Sequence, residues 1–327
     1  MPTRLAQSDL LRLLGQSTGF ISGEQLSRSL GVSRTAIWKR VVTLRAAGYG
    51  IEAVTSQGYR LVSCPDRLSC AGIAAGLPAG CLVGQHLVCL DEVASTNAEA
   101  FRLAEGGAAE GTVVFADRQT AGKGRLGRQW VSPGGVNLYL SVILRPPLPP
   151  YEAPQLTFIS AVAVARTIEE ETGLKPAIKW PNDLLLSGCK VAGLLNEMNA
   201  ESDLVGFVVL GIGVNLNMEA AQFPGDLRTP ATSLVLACGR PVSRMPFAVR
   251  LLTALDAEYA RFRQVGFGPV REEWSRRCNA FGREVSVASG GQTLRGPFAG
   301  IDHDGALLLT LPDGRLERIM SGDVTVL

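Results

Sequence analysis

Residues 119–130 read Gln119-Thr120-Ala121-Gly122-Lys123-Gly124-Arg125-Leu126-Gly127-Arg128-Gln129-Trp130. Three glycines and three cations fall between 122 and 128, and a Trp follows. Glycine lets a backbone approach a ligand closely. The cations can neutralise phosphate or carboxylate oxygens, Arg with a two-pronged fork. The G-x-x-x-x-G-K-[ST] spacing of a Walker loop is absent. The stretch reads as a basic surface loop or as an anion or nucleotide site.

Three neighbouring segments carry similar chemistry. Lys179-Trp180-Pro181-Asn182-Asp183, followed by Lys190-Val191-Ala192-Gly193, gathers a cation, a ring, an amide and a carboxylate at a strand end. Pro181 stops a central strand there, and Pro-Asn-Asp is also ordinary turn chemistry. Ser95-Thr96-Asn97-Ala98-Glu99 has capping-box spacing from Thr96 to Glu99 and so starts a helix, whose free N–H groups can meet a ligand. Gly211-Ile212-Gly213-Val214-Asn215 is a glycine-punctuated strand end.

Around these segments the pattern alternates strands with a few helices. Strands are expected at 86–91, 112–116, 136–144, 176–180, 190–197 and 204–213. Helices are expected at 97–105, 155–172 and 247–265. Many strands with few helices indicate a mixed sheet rather than a βαβ repeat. Beyond residue 277, short β runs alternate with Gly290-Gly291, Asp304-Gly305, Asp313-Gly314 and Gly322-Asp323, which reads as a small separate β-barrel.

The first 63 residues differ in charge. They hold eight Lys/Arg against three Asp/Glu, and the remainder 24 against 27, so a +5 module precedes a body of −3. Helices at 8–14, 24–30 and 34–47 are followed by strands near 50–54 and 59–62. Ser22-Gly23-Glu24-Gln25 is a capping box and Ser33 an N-cap. Ile37, Val41 and Leu44 share one face of the third helix, and Arg34, Thr35, Trp38 and Lys39 the other. The order matches a winged helix-turn-helix whose DNA contacts are Ser33, Arg34, Thr35, Trp38, Lys39 and Arg40. A three-helix protein-interaction module is the alternative. Residues 64–69 form a linker.

Hydrophobic residues make up 46% and charged residues 19%, a globular balance with no apolar run long enough to span a bilayer. Met1-Pro2-Thr3-Arg4 opens an amphipathic stretch rather than a signal peptide, which places the protein in the cytoplasm. The seven cysteines, with no C-x-x-C pair and only two histidines, argue against zinc and against a disulfide framework. No metal-ligand set is expected.

The four chemistry-bearing segments, in this order, resemble the bacterial biotin protein ligases, and most nearly the bifunctional type that also represses the biotin operon. GKGRLGRQW at 122–130, KWPND at 179–183, K-x-x-G at 190–193 and GIGVNLN at 211–217 carry the likeness, which covers nearly the whole chain. It implies an α+β multidomain fold: a winged helix-turn-helix domain at 1–63, a catalytic domain like that of class II aminoacyl-tRNA synthetases at 68–277, and an SH3-like barrel at 278–327.

The resemblance also implies roles. Ser95, Thr96, Asn97 and Gln119 match positions holding the biotin head group. Gly122, Lys123, Gly124 and Arg125 match the loop that folds over biotin and its adenylate. Lys190 matches the lysine at the reacting carboxylate and α-phosphate, and Gly193 and Gly211 match glycines lining the biotin slot. Arg128, Trp130, Asn182 and Asn215 lie where the family binds ATP, and Asp183 near the acceptor lysine. Arg125, Lys190 and Asp183 are the implied catalytic residues. Two positions depart from the family pattern: Lys123 stands for the usual Arg, and Ala94 for a frequent Asp.

The implied activity is ATP-dependent formation of biotinyl-5'-AMP, with Mg²⁺ on the phosphates. Transfer of biotin to a lysine of the biotin carboxyl carrier protein of acetyl-CoA carboxylase follows. Operator DNA and a second copy of the chain, as a homodimer, are the other implied partners, with no membrane. The competing readings are a ligase whose N-terminal domain does not regulate, a small-molecule-sensing transcription factor with an inactive catalytic domain, and a lipoate-type ligase of the same fold.

Overall fold

Side-chain caps set the beginning of the chain. In the computed structural model, which describes residues 2–63, 65–201 and 203–327, Ser22 Oγ accepts from Gln25 N at 3.1 Å while Ser22 N donates to Gln25 Oε1 at 3.0 Å. Ser33 Oγ accepts from Ala36 N at 3.2 Å. These caps open α2 (Gly23–Leu30) and α3 (Arg34–Ala46), which follow α1 (Pro2–Gly15). β1 (Gly50–Val54) and β2 (Gly58–Ser63) form an antiparallel hairpin. Gly58, at φ 107°, is held against the backbone of Ile21, where a Cβ would sit 2.1 Å from Ile21 O.

The apolar faces meet in one core of Leu10, Leu11, Leu14, Leu26, Ile37, Val41, Leu44, Tyr49 and Ile51. Met1 and Cys64, both used in the sequence reading, lie outside the described residues. The expected linker ends in structure. Ser69 Oγ bonds Tyr49 Oη at 2.7 Å and caps a short helix, α4 (Cys70–Gly76), whose Ala71 and Ala75 pack on that core. This helix has too few periodic residues to announce itself in the sequence.

The chain forms two compact units, Met1–Ala79 with Ser243–Val249, and Gly80–Val242 with Arg250–Leu327. Among the described residues of the second unit, a seven-stranded sheet runs β3-β4-β5-β9-β8-β7-β6. Its strands are β3 (His86–Val93), β4 (Thr112–Gln119), β5 (Leu138–Leu144), β6 (Ala177–Lys179), β7 (Asp183–Leu186), β8 (Cys189–Glu201) and β9 (Leu204–Val214). β3 and β4 are parallel and the other pairs antiparallel, so the sheet is mixed, as expected. α5 (Thr96–Glu105) lays Ala100 and Ala104 on Val114, Ile143 and Val209. α6 (Gln155–Thr172) is buried along most of its length, with Phe158 edge-on to Phe267 and Trp274.

α7 (Leu234–Cys238), α8 (Arg244–Val265) and α9 (Gly268–Arg277) complete the helices of this part of the chain. Ala248, Leu251, Leu252, Leu255, Tyr259 and Phe262 of α8 are all buried, as their spacing requires. β10 (Glu284–Ser289), β11 (Gln292–Ile301), β12 (Leu307–Thr310), β13 (Leu316–Ile319) and β14 (Asp323–Val326) form an antiparallel sheet ordered β13-β12-β11-β10-β14. It belongs to the same compact unit as the seven-stranded sheet. Trp180 Nε1 donates to Gly305 O at 3.1 Å, and Gly305 (φ 87°) sits so close to Phe158 that a Cβ would fall 2.6 Å from its ring.

The cysteine expectation is corrected. Cys81, Cys189, Cys238 and Cys278 are free, but Cys70 and Cys89 are each in a disulfide. Neither stands in a short Cys spacing, so the sequence carries no local sign of it. Among the described residues no helix is long and apolar enough to cross a membrane.

Candidate functional site

The second unit contains a cavity of about 220 Å³ built from the ends of β4, β8 and β9, the start of α5 and the 123–131 loop. Of the ligand-site residues expected there, Ser95, Thr96, Asn97, Gln119, Lys123, Gly124, Arg125, Arg128, Trp130, Asn182, Asp183, Lys190, Gly193, Gly211 and Asn215 all line it. Gly122 does not. It serves the loop from behind, where a Cβ would lie 2.4 Å from Trp130 O and 2.8 Å from Ser132 Oγ.

The loop folds back on itself, with Trp130 N donating to Gly122 O at 2.9 Å and Gly124 N to Arg128 O at 2.7 Å. Leu126 takes φ 57° and is 72% exposed, an uncommon conformation for a non-glycine residue. The Trp130 indole lies across Gly193 and Gly213: a Cβ on either would approach it to 2.9 and 2.7 Å. Its N–H is buried with no hydrogen-bond partner among the described residues. Lys190 Nζ stands 5.2 Å from the centroid of that ring and 2.6 Å from Asp183 Oδ1.

The helix start is real, but its expected capping box is not. Ser95 is the N-cap of α5 without a side-chain cap bond, and Glu99 pairs with Arg102 instead, at 2.6 Å. An i,i+3 arginine competes for the carboxylate that the box needs. Thr96 turns toward Gln119, whose Oε1 accepts from Thr96 N at 2.8 Å. Asn182 bridges segments, donating to Leu194 O at 2.5 Å and accepting from Arg125 Nη1 at 3.3 Å. Asn215 Nδ2 donates to Thr232 O at 3.0 Å.

Sequence reading assigned no role to three charged residues of the cavity: Lys179, Arg228 and Asp323. Asp323 accepts from Arg128 Nη1 at 3.0 Å and from Arg228 Nη1 at 2.7 Å. Hydrogen bonds from Arg128, and then from Arg228, hold the Asp323 carboxyl well below its usual range, while Asp323 raises Arg128. Burial lowers Arg125, against the opposing fields of Asp323 and Asp183. Burial likewise lowers Lys179, helped by the cations Arg228 and Lys190. The cavity is therefore a cationic slot with two carboxylates, suited to a polyanion.

The depressed Asp323 value has a measurable consequence. An aspartate whose folded pKa lies below its unfolded value contributes stability that is complete above about pH 4. That contribution is lost as pH falls through the folded value. The difference in thermal midpoint between wild type and Asp323→Asn is expected to be largest near pH 7 and to shrink as pH drops below about 4. A gap that stays constant across that range would refute the pairing.

In the first unit Ser33, Arg34, Thr35, Trp38 and Lys39 are exposed and Arg40 is half-buried. Trp38 is 55% exposed. Ser33 Oγ is committed to its cap.

Comparison with known proteins agrees with both regions. The family model described as Biotin/lipoate A/B protein ligase matches residues 91–215, an HTH domain model matches 6–60, and a Biotin protein ligase C terminal domain model matches 280–327. The bifunctional ligase/repressor BirA of Bacillus spizizenii is 41% identical over 97% of this chain and 98% of its own length. That of Escherichia coli is 33% identical over 94% and 93%. The structure of biotin protein ligase from Aquifex aeolicus in complex with biotin and ATP superposes with a TM-score of 0.64, at 29% identity, over 74% of this chain and 99% of that one. With three domain models in the expected order and full-length relatives of this likeness, the chain belongs to the family of bifunctional biotin ligase/repressors.

Proposed function

We propose that this chain joins biotin to ATP and passes the biotinyl group to a lysine of the biotin carboxyl carrier protein of acetyl-CoA carboxylase. The observation that carries the reading is the meeting of Arg125, Arg128, Lys179, Lys190 and Arg228, from distant segments, around one cavity. In the first step a biotin carboxylate oxygen attacks the α-phosphorus of Mg²⁺-ATP, and pyrophosphate leaves. Two anions meet, so fixed cations in a water-poor slot lower the barrier. In the second step a neutral lysine amine attacks the acyl carbon, AMP leaves, and Asp183 takes or orients the amine proton. Ser95, Thr96, Asn97, Gln119, Gly193 and Gly211 hold biotin. Arg128, Trp130, Asn182 and Asn215 hold ATP, and Gly122, Lys123, Gly124 and Arg125 cover the adenylate.

The working division is DNA binding in 1–63, catalysis in 68–277 with a synthetase-like sheet, and an SH3-like module in 278–327. The protein acts in the cytoplasm. Incorporation of labelled biotin into a carrier domain, with lipoate as the control, tests the ligase. Label from lipoate alone would favour the lipoate-type reading that the shared family model leaves in view.

A winged helix reads one half-site, so repression requires a homodimer of this chain. Arg34, Lys39 and Arg40 have no ion pair among the described residues and are free to meet phosphate. Replacing Arg34 and Lys39 with alanine is expected to reduce the slope of log K against log salt by about 0.9 for each lost phosphate contact. Carrier biotinylation should stay unchanged. A slope equal to that of wild type would take those residues out of the DNA contact, and no operator binding by the wild type would favour a non-regulatory domain.

A further inference from the structure

Ser132, Gln119, Thr96, Ser141, Asn97 and Glu197 form one continuous line of hydrogen-bonding side chains beside the cavity. The line ends on groups that can only accept: the backbone carbonyl of Trp130 and the carboxylate of Glu197. That fixes the direction of the protons along it. At one end Ser132 Oγ donates to Trp130 O at 3.0 Å, so it accepts from Gln119 Nε2 at 2.9 Å. The Gln119 amide is thereby set with Oε1 toward Thr96, 2.8 Å from its N and 3.1 Å from its Oγ1.

At the other end Asn97 Nδ2 donates to Glu197 Oε2 at 2.7 Å and to Leu195 O at 3.2 Å. Asn97 Oδ1 must then accept, and the Ser141 hydroxyl donates to it at 2.6 Å. Thr96 Oγ1 lies between Ser141 Oγ, 2.8 Å away, and Gln119 Oε1. With the Ser141 proton on Asn97, the single Thr96 proton points to one of these two neighbours, and none is left for a ligand. Its neighbour Ser95 is 2% exposed and lines the cavity, and its hydroxyl caps nothing.

We propose that Ser132, Ser141 and Glu197 are positioning residues that order these protons, so that a donating hydroxyl at Ser95 stands beside a purely accepting one at Thr96. This pair complements the adjacent C=O and N–H of a cyclic urea, and a dithiolane ring offers neither group. The inference rests on the reading of the cavity as a biotin site. It adds three residues that touch no substrate but decide which head group is accepted, because a ligand without the N–H leaves a buried acceptor unpaired.

The test is biotin-dependent pyrophosphate exchange by the full chain, with biotin and ATP varied separately. Ser141→Ala and Glu197→Leu are expected to raise the biotin KM about tenfold while the ATP KM stays within about twofold. Ser141→Thr and Glu197→Gln keep the hydroxyl and the acceptor, and should restore the biotin KM to within about threefold of wild type. Should Glu197→Leu not fold, Ser141→Ala and Ser132→Ala carry the measurement. An active wild type whose variants keep the biotin KM, or whose biotin and ATP KM values rise together, overturns the proton ordering alone. A wild type with no biotin-dependent exchange overturns the ligase reading and this inference with it.

Discussion

Replacing Lys190 with alanine is expected to slow biotin-dependent pyrophosphate release by about 10²–10³, the cost of losing one preorganised charge in a closed site. Biotin affinity should fall far less, because the negative charge that Lys190 meets is greatest when the pentavalent phosphorus forms. The ammonium is already placed, 2.6 Å from Asp183 and over the Trp130 ring, so no reorganisation is needed to present it. Pyrophosphate release compared with calorimetric biotin binding separates the two effects. Equal losses in both would make Lys190 a ground-state contact only.

Gly211→Ala is expected to weaken biotin binding by about 1–3 kcal/mol, roughly one to two orders of magnitude in Kd. The added methyl would lie 2.1 Å from Asn97 Oδ1. Asn97 cannot easily yield, since Ser141, Leu195 and Glu197 hold both ends of its amide. The strain therefore passes into the wall where the head group is expected. Titration of biotin into the variant, with its thermal midpoint as the check on folding, measures it. A biotin affinity equal to that of wild type would show that the wall can shift freely.

Much of this site was legible because its chemistry sits in short continuous segments. Gly122–Trp130, Lys179–Asp183, Lys190–Gly193 and Gly211–Asn215 each carry several unusual residues together, and a strand end or loop delivers them as a group. Asp323 and Arg228 were not legible. Arg228 is a single charge in a loop and Asp323 a single charge at the first position of β14, and only the fold brings them to Arg128. Ser141 and Glu197 read as plain strand residues, because a hydroxyl or carboxylate beside a ligand wall looks the same in sequence as one beside solvent. The fold was read in the same uneven way. Long periodic helices such as α6 and α8 were clear, whereas α9 begins Gly-Pro and is half charged, and β7 is four residues beside a Pro-Asn turn.

The packing of Trp130 between Gly193 and Gly213 also limits the order in which this family can change. While the indole is present, any side chain at either glycine meets ring atoms at under 3 Å. If the ring is first reduced to a small residue, those clashes are gone, and at Gly193 the flexible end of Lys190, 3.1 Å from the same Cβ, is the next contact. The three positions are therefore coupled, and their effects will not add. Filling either glycine is easier once the tryptophan is gone, and regaining the tryptophan is easier once both sites are empty again.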